Sequence, residues 1–164
     1  MNPPSIEAFD TWIRGRFRDV NTELEERYTA LVETTGLEIP DVGTRIAVLG
    51  AAFKPNSDDI RDSPALDVAA SIGRRGGDVV VYDPQAMANA RKKHPELHYV
   101  ASLDDAVVGA DIVMLLTEWD EFKSMSPEAI GKVVARRNLV DGRNVLNPVQ
   151  WRSAGWHYRA LGRP

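Results

Sequence analysis

The chain has 164 residues, of which 43% are hydrophobic and 27% are charged, with a formal net charge of −4 and a pI near 5.4. This composition is typical of one globular domain, and its acidic balance argues against nucleic acid as a partner. Because the sequence has no cysteine, it excludes disulfides, thiolate metal sites and a cysteine nucleophile within this chain. We recognise neither a signal peptide nor a membrane span, and we therefore expect a cytoplasmic location and no membrane partner.

Residues 1–43 are an N-terminal helical segment with the pattern of one long amphipathic helix, for which Ser5 is a possible N-cap and Gly36 a C-terminal stop. Large apolar residues recur at intervals of three or four, which places them on one stripe. The stripe consists of Phe9, Ile13, Phe17, Val20, Leu24, Tyr28 and Leu31. Such a stripe needs cover, since fully burying each large side chain contributes about 1.5–3 kcal/mol. Either it packs on the α/β part of the same chain or it pairs with a second copy.

From residue 44 to residue 164, predicted strands alternate with predicted helices. The strands are predicted at residues 45–49, 78–82, 97–100, 111–116, 138–141 and 156–160. Helices are predicted to begin near Pro64, Asp83, Ser102 and Ser126, and after Thr117, where the spacing resembles a capping box. The alternation predicts a Rossmann-like α/β/α fold with a mainly parallel sheet of five to six strands, in the order 3-2-1-4-5-6. Ligands are then expected at the carboxyl ends of the strands.

The loop that follows the first strand, residues 50–65, contains the residues most typical of a binding site. Its sequence is GAAFKPNSDDIRDSPA, which is neither a G-x-G-x-x-G fingerprint nor a Walker A loop. Lys54 and Arg61 lie in it beside the start of a helix, so we expect the loop to attract an anion such as phosphate. In an alternative interpretation, Arg61 only pairs with Asp58 or Asp59.

Other candidate residues follow later strands. Arg143 lies in an Asp-Gly-Arg-Asn turn after the fifth strand, where its guanidinium could hold a phosphate or could form an ordinary salt bridge. We expect Lys54 and Arg143 to lie on adjacent strand ends and to converge on one anion. Trp119 could cover a ligand base or could pack in the core. Asp83 has the position of a ribose-binding acid, although the following proline favours a helix cap.

The loop GAAFKPNSDDIRDSPA closely resembles the G-x-A-F-K-P-x-(S/T)-D-D-x-R-x-S-P loop of the UDP-glucose dehydrogenase family. The strings TEWDEF at residue 117 and DGRN at residue 141 are similar to that family as well, and the likeness extends over residues 42–162. This resemblance implies that Phe53, Lys54, Arg143 and Trp119 contact a UDP-sugar. It also implies that Arg61 reaches the NAD cofactor held by a neighbouring domain.

The resemblance further implies that residues 44–164 are the UDP-sugar-binding domain of a UDP-glucose 6-dehydrogenase, an enzyme that oxidises UDP-glucose to UDP-glucuronate with NAD. The catalytic cysteine and the NAD-binding domain of the family are not in this sequence, so the chain is expected to be inactive alone and to bind NAD weakly. A separately encoded catalytic domain is one possible partner. The long N-terminal helix, read as a remnant of the central helix of the family, predicts a homodimer with Phe17, Val20, Leu24 and Tyr28 near its axis.

Two alternatives remain open for the function. The chain could be a free-standing, non-enzymatic module that binds a nucleotide sugar or merely dimerises. It could also be the corresponding domain of a UDP-N-acetylhexosamine or GDP-mannose dehydrogenase.

Overall fold

The computed structural model describes residues 43–61 and 63–160 of the chain. The helix predicted within residues 1–43 and the dimer contacts predicted along it therefore lie outside the described residues.

The described residues form one six-stranded parallel sheet in the order β3-β2-β1-β4-β5-β6. Its strands are β1 Arg45–Leu49, β2 Asp78–Tyr82, β3 His98–Tyr99, β4 Ile112–Leu115, β5 Asn138–Asp141 and β6 His157–Ala160. The predicted α/β fold and strand order are confirmed. β3 and β4 are each two residues shorter than predicted, and β6 begins one residue later.

The strands form here because their apolar runs are buried on both faces of the sheet, as is usual in parallel sheets. In β1 every residue after Arg45 is buried, and in β2 the three central valines are buried. β1 lies at the centre of the sheet and pairs with β2 on one side and β4 on the other. The buried apolar residues of the sheet therefore form one continuous core from β2 to β5.

Six helices connect the strands in the described part of the chain. They are α1 Pro64–Arg74, α2 Met87–Lys93, α3 Leu103–Val107, α4 Asp120–Lys123, α5 Pro127–Ile130 and α6 Pro148–Ser153. α3 and α5 begin directly after Ser102 and Ser126, as predicted, and the side chains of these two serines accept hydrogen bonds from backbone amides of the first turn. The expected capping box at Thr117 is wrong, because the buried Thr117 hydroxyl donates instead to the carbonyl oxygen of Ala52 at 2.8 Å.

The strand order places a switch point between β1 and β4. The chain leaves β1 towards β2 and leaves β4 towards β5, and right-handed crossovers put the connecting helices of the two halves on opposite faces. The loops after β1 and β4 thus separate at the carboxyl edge of the sheet and leave a crevice. None of the helices in residues 43–61 and 63–160 is long and apolar enough to cross a membrane.

Gly50, which ends β1, has both a backbone conformation and a location that favour glycine. Its φ is +107°, and an added Cβ would lie 2.5 Å from the Cβ atom of Thr117. Gly50 thus allows the loops after β1 and β4 to approach each other closely.

We expect Gly50→Ala to lower the free energy of unfolding by about 2 kcal/mol or more, because the substitution adds both backbone strain and a steric clash. Urea denaturation measures the change. Gly43→Ala is the control for strain alone, since Gly43 has a φ of +89° with no atom within 4 Å of an added Cβ. Gly73→Ala in α1 is the control for an unstrained glycine. A Gly50→Ala loss no larger than that of Gly43→Ala would contradict the close approach to Thr117.

Candidate functional site

The loop after β1 is held at its base by hydrogen bonds in which its amides donate and its carbonyls accept. The amide of Gly50 donates to the carbonyl of Tyr82, and the amide of Phe53 donates to the carbonyl of Asp59. The hydroxyl of the buried Ser63 donates to the carbonyl of Ala51 at 2.6 Å. The amides of Gly50 and Phe53 therefore already donate to acceptors within the protein and are not available to bind an anion.

The buried carboxylate of Asp83 holds the remaining amides of this loop base. Asp83 is 1% exposed. Its Oδ2 accepts hydrogen bonds from the amides of Ala51 and Ala52 at 2.8 and 3.0 Å. Its Oδ1 accepts from the amides of Gln85 and Ala86. Asp83 thus caps the turn before α2, as the following proline indicated, and it also anchors the loop after β1, which leaves no role in binding a ribose.

Trp119 is the fifth donor to Asp83. Its indole Nε1 donates to Asp83 Oδ2 at 3.0 Å, and the residue is only 5% exposed. Of the two interpretations of Trp119, the structure supports packing in the core. Its role as a substrate contact stays a prediction, limited to the small part of the residue that solvent reaches.

Phe53 and Lys54, in contrast, point away from the core at the end of β1. Phe53 is 53% exposed, which is unusual for a large aromatic side chain. Lys54 is also exposed, and no carboxylate of a described residue lies within ion-pair distance of its ammonium group. An exposed ring beside an ammonium group without an ion-pair partner can contact a ligand that has both an apolar and an anionic part.

A second buried carboxylate organises the turn after β5. Asp141 is fully buried, and it accepts hydrogen bonds from the amides of Arg143, Val145 and Leu146. The hydroxyl of Tyr158 donates to the same carboxylate at 2.8 Å. The turn that carries Arg143 is therefore anchored by a buried carboxylate, as is the loop after β1.

Arg143 itself lies at the rim of the crevice. Its Nε donates to Glu118 Oε2 at 2.6 Å, and the two side chains are 35% and 33% exposed. The salt bridge weighed as an alternative for Arg143 is thus present, with a partner that follows β4. This contact orients the guanidinium while leaving a third of the side chain accessible to solvent.

The expectation that Lys54 and Arg143 lie on adjacent strand ends is wrong. Lys54 follows β1 and Arg143 follows β5, and β4 lies between these two strands. Two strand spacings correspond to about 10 Å. A ligand that both cations contact therefore lies over the end of β4.

Arg61 forms a two-pronged ion pair with Asp59 within the same loop. Its Nε and Nη2 donate to the two carboxylate oxygens at 3.0 and 2.8 Å, and its side chain is 87% exposed. The hydrogen bonds from the Arg61 side chain, and then from its amide, lower the pKa of Asp59 to about 2. The alternative interpretation of Arg61 is thus realised in the structure, and its contact with a cofactor stays a prediction.

From the sequence, Asp83 is assigned only as a helix cap, and Asp141 and Glu118 are assigned no role. Asp83 and Asp141 share one signal that could have identified them, since each is an acidic residue at the end of a strand of buried apolar residues. Glu118 gave no such signal, because its partner is 25 positions away in sequence. Within the part of the chain that the structure describes, no group of three or more His, Cys, Asp or Glu side chains could hold a metal ion.

Comparison with known protein families gives a match over most of this domain. A family model described as the UDP-binding domain of the UDP-glucose/GDP-mannose dehydrogenase family matches residues 47–148. The chain is 38% identical over 122 residues to a UDP-glucose 6-dehydrogenase of Rhizobium meliloti, covering 74% of this chain and 28% of the relative. It is also 38% identical over 144 residues to a UDP-glucose 6-dehydrogenase of Haloferax volcanii, covering 87% and 31%. The chain thus spans less than a third of either relative.

Solved structures agree with these sequence matches. An NDP-N-acetyl-D-galactosaminuronic acid dehydrogenase from Methanosarcina mazei aligns with a TM-score of 0.70 and 25% identity, covering 96% of this chain and 30% of that chain. A UDP-glucose dehydrogenase from Pyrobaculum islandicum aligns with a TM-score of 0.63 and 28% identity, covering 85% and 29%. Both alignments again correspond to under a third of the solved chain.

We expect Asp83→Ala to lower the free energy of unfolding by about 3 kcal/mol or more, because it leaves several buried N–H groups without an acceptor. Asp83→Asn, which keeps one oxygen acceptor, should have a smaller effect. Asp120→Ala is the matched control, because the Asp120 side chain is 93% exposed and its ion pair with Lys123 should contribute at most about 1 kcal/mol. Urea denaturation compares the three variants. Equal losses for Asp83→Ala and Asp120→Ala would show that Asp83 does not anchor the loops.

We expect Arg61→Ala to raise the pKa of Asp59 from about 2 towards its ordinary value of 3.8, because Arg61 is the main cause of the depression. Since the pKa is depressed in the folded protein, the ion pair contributes to stability above pH 3.8 and its contribution is lost as the pH falls through about 2. NMR titration of the Asp59 carboxyl carbon measures the pKa. Lys54→Ala is the control and should shift it only slightly. An unchanged pKa in Arg61→Ala would contradict the ion pair.

Proposed function

Because the chain belongs to the UDP-glucose/GDP-mannose dehydrogenase family, whose UDP-binding domain it carries, we propose that residues 44–164 bind a UDP-sugar, with UDP-glucose as the preferred ligand. This proposal rests on the exposed side chains of Phe53 and Lys54, which lie next to each other at the carboxyl end of β1. No carboxylate of a described residue forms an ion pair with Lys54. An apolar ring and a nearby cation suit a ligand that joins a base or sugar to a phosphate.

The separation of the two cations also supports a nucleotide diphosphate sugar. Lys54 and Arg143 follow β1 and β5, about 10 Å apart by strand spacing, so a ligand that contacts both lies over the end of β4. A diphosphate flanked by a nucleoside and a sugar is long enough to extend over this distance. We propose that Lys54 contacts the ligand beside Phe53, and that Arg143, held by Glu118, contacts it across the end of β4. Trp119 can contact the ligand only through the small part of its side chain that is exposed to solvent.

In a longer protein of the family, we propose that this domain presents UDP-glucose for oxidation to UDP-glucuronate by NAD. This chain has no cysteine to act as the nucleophile of that reaction, and we propose that it does not catalyse the oxidation alone. The loop after β1 does not fit NAD as its principal site. It lacks the G-x-G-x-x-G pattern, and the amides of residues 50–53 donate to protein acceptors. We therefore limit the proposed cofactor contact to the exposed Arg61, facing NAD held by another domain.

A second candidate ligand is a UDP-N-acetylhexosamine. The solved structure with the TM-score of 0.70 is named for an N-acetylated sugar acid, whereas the UDP-glucose dehydrogenase from Pyrobaculum islandicum has a TM-score of 0.63. The sequence relatives, in contrast, are named UDP-glucose 6-dehydrogenases. The homodimer through the N-terminal segment, a separately encoded catalytic domain and the cytoplasmic location stay predictions.

We expect isothermal titration calorimetry to detect UDP and UDP-glucose binding to the chain. Lys54→Ala and Arg143→Ala should each weaken binding about tenfold, because each removes a charge-assisted hydrogen bond. Lys123→Ala removes an exposed lysine that pairs with Asp120, and it should leave the affinity unchanged. UDP-N-acetylglucosamine and GDP-mannose, titrated in parallel, identify the preferred sugar and base.

Thermal unfolding provides an independent measurement. At about 100 times its dissociation constant, a ligand adds about 2.7 kcal/mol to the free energy of unfolding. Absence of any response to uridine nucleotides at millimolar concentration would contradict the proposed binding. Equal losses of affinity in Lys54→Ala and Lys123→Ala would contradict the proposed site.

A further inference from the structure

A cleft of about 720 Å³ lies between the loop after β1 and helix α2. Asp58, Asp59 and Arg61 line it from the loop, and Asn89, Lys92 and Lys93 line it from α2. Helix α2 follows β2, which lies on the opposite side of β1 from β4 and β5. The cleft is therefore on the other side of the loop from Arg143, and it is separate from the crevice proposed for the UDP-sugar.

The charges in this cleft favour an anion, although the chain as a whole is acidic. Lys92 and Lys93 are exposed, and neither ammonium group lies within ion-pair distance of a carboxylate in the described part of the chain. The charge of Asp59 is already balanced by Arg61. Two ammonium groups without such partners thus remain opposite a single carboxylate, that of Asp58.

Asn89 fixes the position of that carboxylate. Its Nδ2 donates both to the carbonyl oxygen of Asp58 at 3.0 Å and to Asp58 Oδ2 at 3.1 Å. These bonds join the tip of the loop to the first part of α2. Asp58 Oδ1 accepts no hydrogen bond from any residue that the structure describes, so it can accept one from a hydroxyl group of a ligand.

We propose that this cleft is a second ligand site and that it binds a phosphorylated sugar, with the phosphate on Lys92 and Lys93 and a sugar hydroxyl donating to Asp58. Ammonium groups bind phosphate through charge and hydrogen bonds, whereas a carboxylate with a free oxygen accepts from hydroxyls. The volume lies within the range of about 300–1,000 Å³ that is usual for small-molecule sites. The phosphorylated sugar could be a free sugar phosphate or the ribose phosphate of a dinucleotide, since both share this chemistry.

The test uses the whole chain labelled with ¹⁵N and titrated with ribose 5-phosphate, with inorganic phosphate and ADP-ribose in parallel. We expect amide shifts in residues 57–61 and in α2, with or without saturating UDP. Lys92→Ala/Lys93→Ala should weaken ribose 5-phosphate binding about tenfold or more. Lys123→Ala is the control and should not change it. Tighter binding of ADP-ribose than of ribose 5-phosphate would identify a dinucleotide as the source, and the reverse would identify a free sugar phosphate.

Asp58→Ala distinguishes sugar recognition from a merely cationic surface. It should weaken ribose 5-phosphate binding while leaving inorganic phosphate binding equal or tighter, because a hydroxyl acceptor and a repelling charge are lost together. Three results would overturn the proposal: no shifts with ribose 5-phosphate at about 10 mM, roughly tenfold above the upper end of usual KM values; equal effects of Asp58→Ala on both ligands; or displacement of ribose 5-phosphate by UDP. Because UDP binding is measured separately, failure of the UDP-sugar site would not imitate any of these results.

Discussion

The hydrogen bonds to the Asp83 carboxylate are the constraint on which the geometry of the site depends. A buried carboxylate is costly unless donors surround it, and Asp83 has five N–H donors from three segments of the chain. These donors come from the loop after β1, the turn before α2 and the indole of Trp119 after β4. One side chain therefore fixes the relative positions of three loops at the carboxyl edge of the sheet.

Asp141 has the corresponding function on the other half of the sheet. It collects amides from the turn after β5, and the Tyr158 hydroxyl joins that turn to β6. Between the two carboxylates, the contact of Gly50 with Thr117 joins the loops of the central strands. Because the bases of these loops are held from within, their tips can present Phe53, Lys54 and Arg143 to solvent without further support. Such preorganisation reduces the entropy that a ligand must overcome on binding.

This arrangement also explains why the loop after β1 is not a phosphate loop of the usual Rossmann type. In that type, backbone amides at the start of the helix contact the phosphate directly. Here the amides of Gly50 to Phe53 donate to Tyr82, Asp83 and Asp59. These four amides are therefore not available to an anion. Arg143 and Arg61 are each oriented by a carboxylate, Glu118 and Asp59, whereas Lys54 extends from the loop alone.

The sequence by itself determined the α/β class, the six strands and their order, because apolar runs, turn residues and right-handed crossovers are local or general properties of chains. It also identified the loop of Phe53, Lys54 and Arg61 and the turn of Arg143. Only the tertiary structure decided what these residues contact. Three of these contacts join segments that are distant in sequence. They are the bond of the buried Trp119 to Asp83, the bond of Thr117 to Ala52, and the ion pair of Arg143 with Glu118. The separation of the strand ends that Lys54 and Arg143 follow was likewise decided by the tertiary structure. It results from the position of β4 between β1 and β5, which is a property of the assembled sheet and not of either loop.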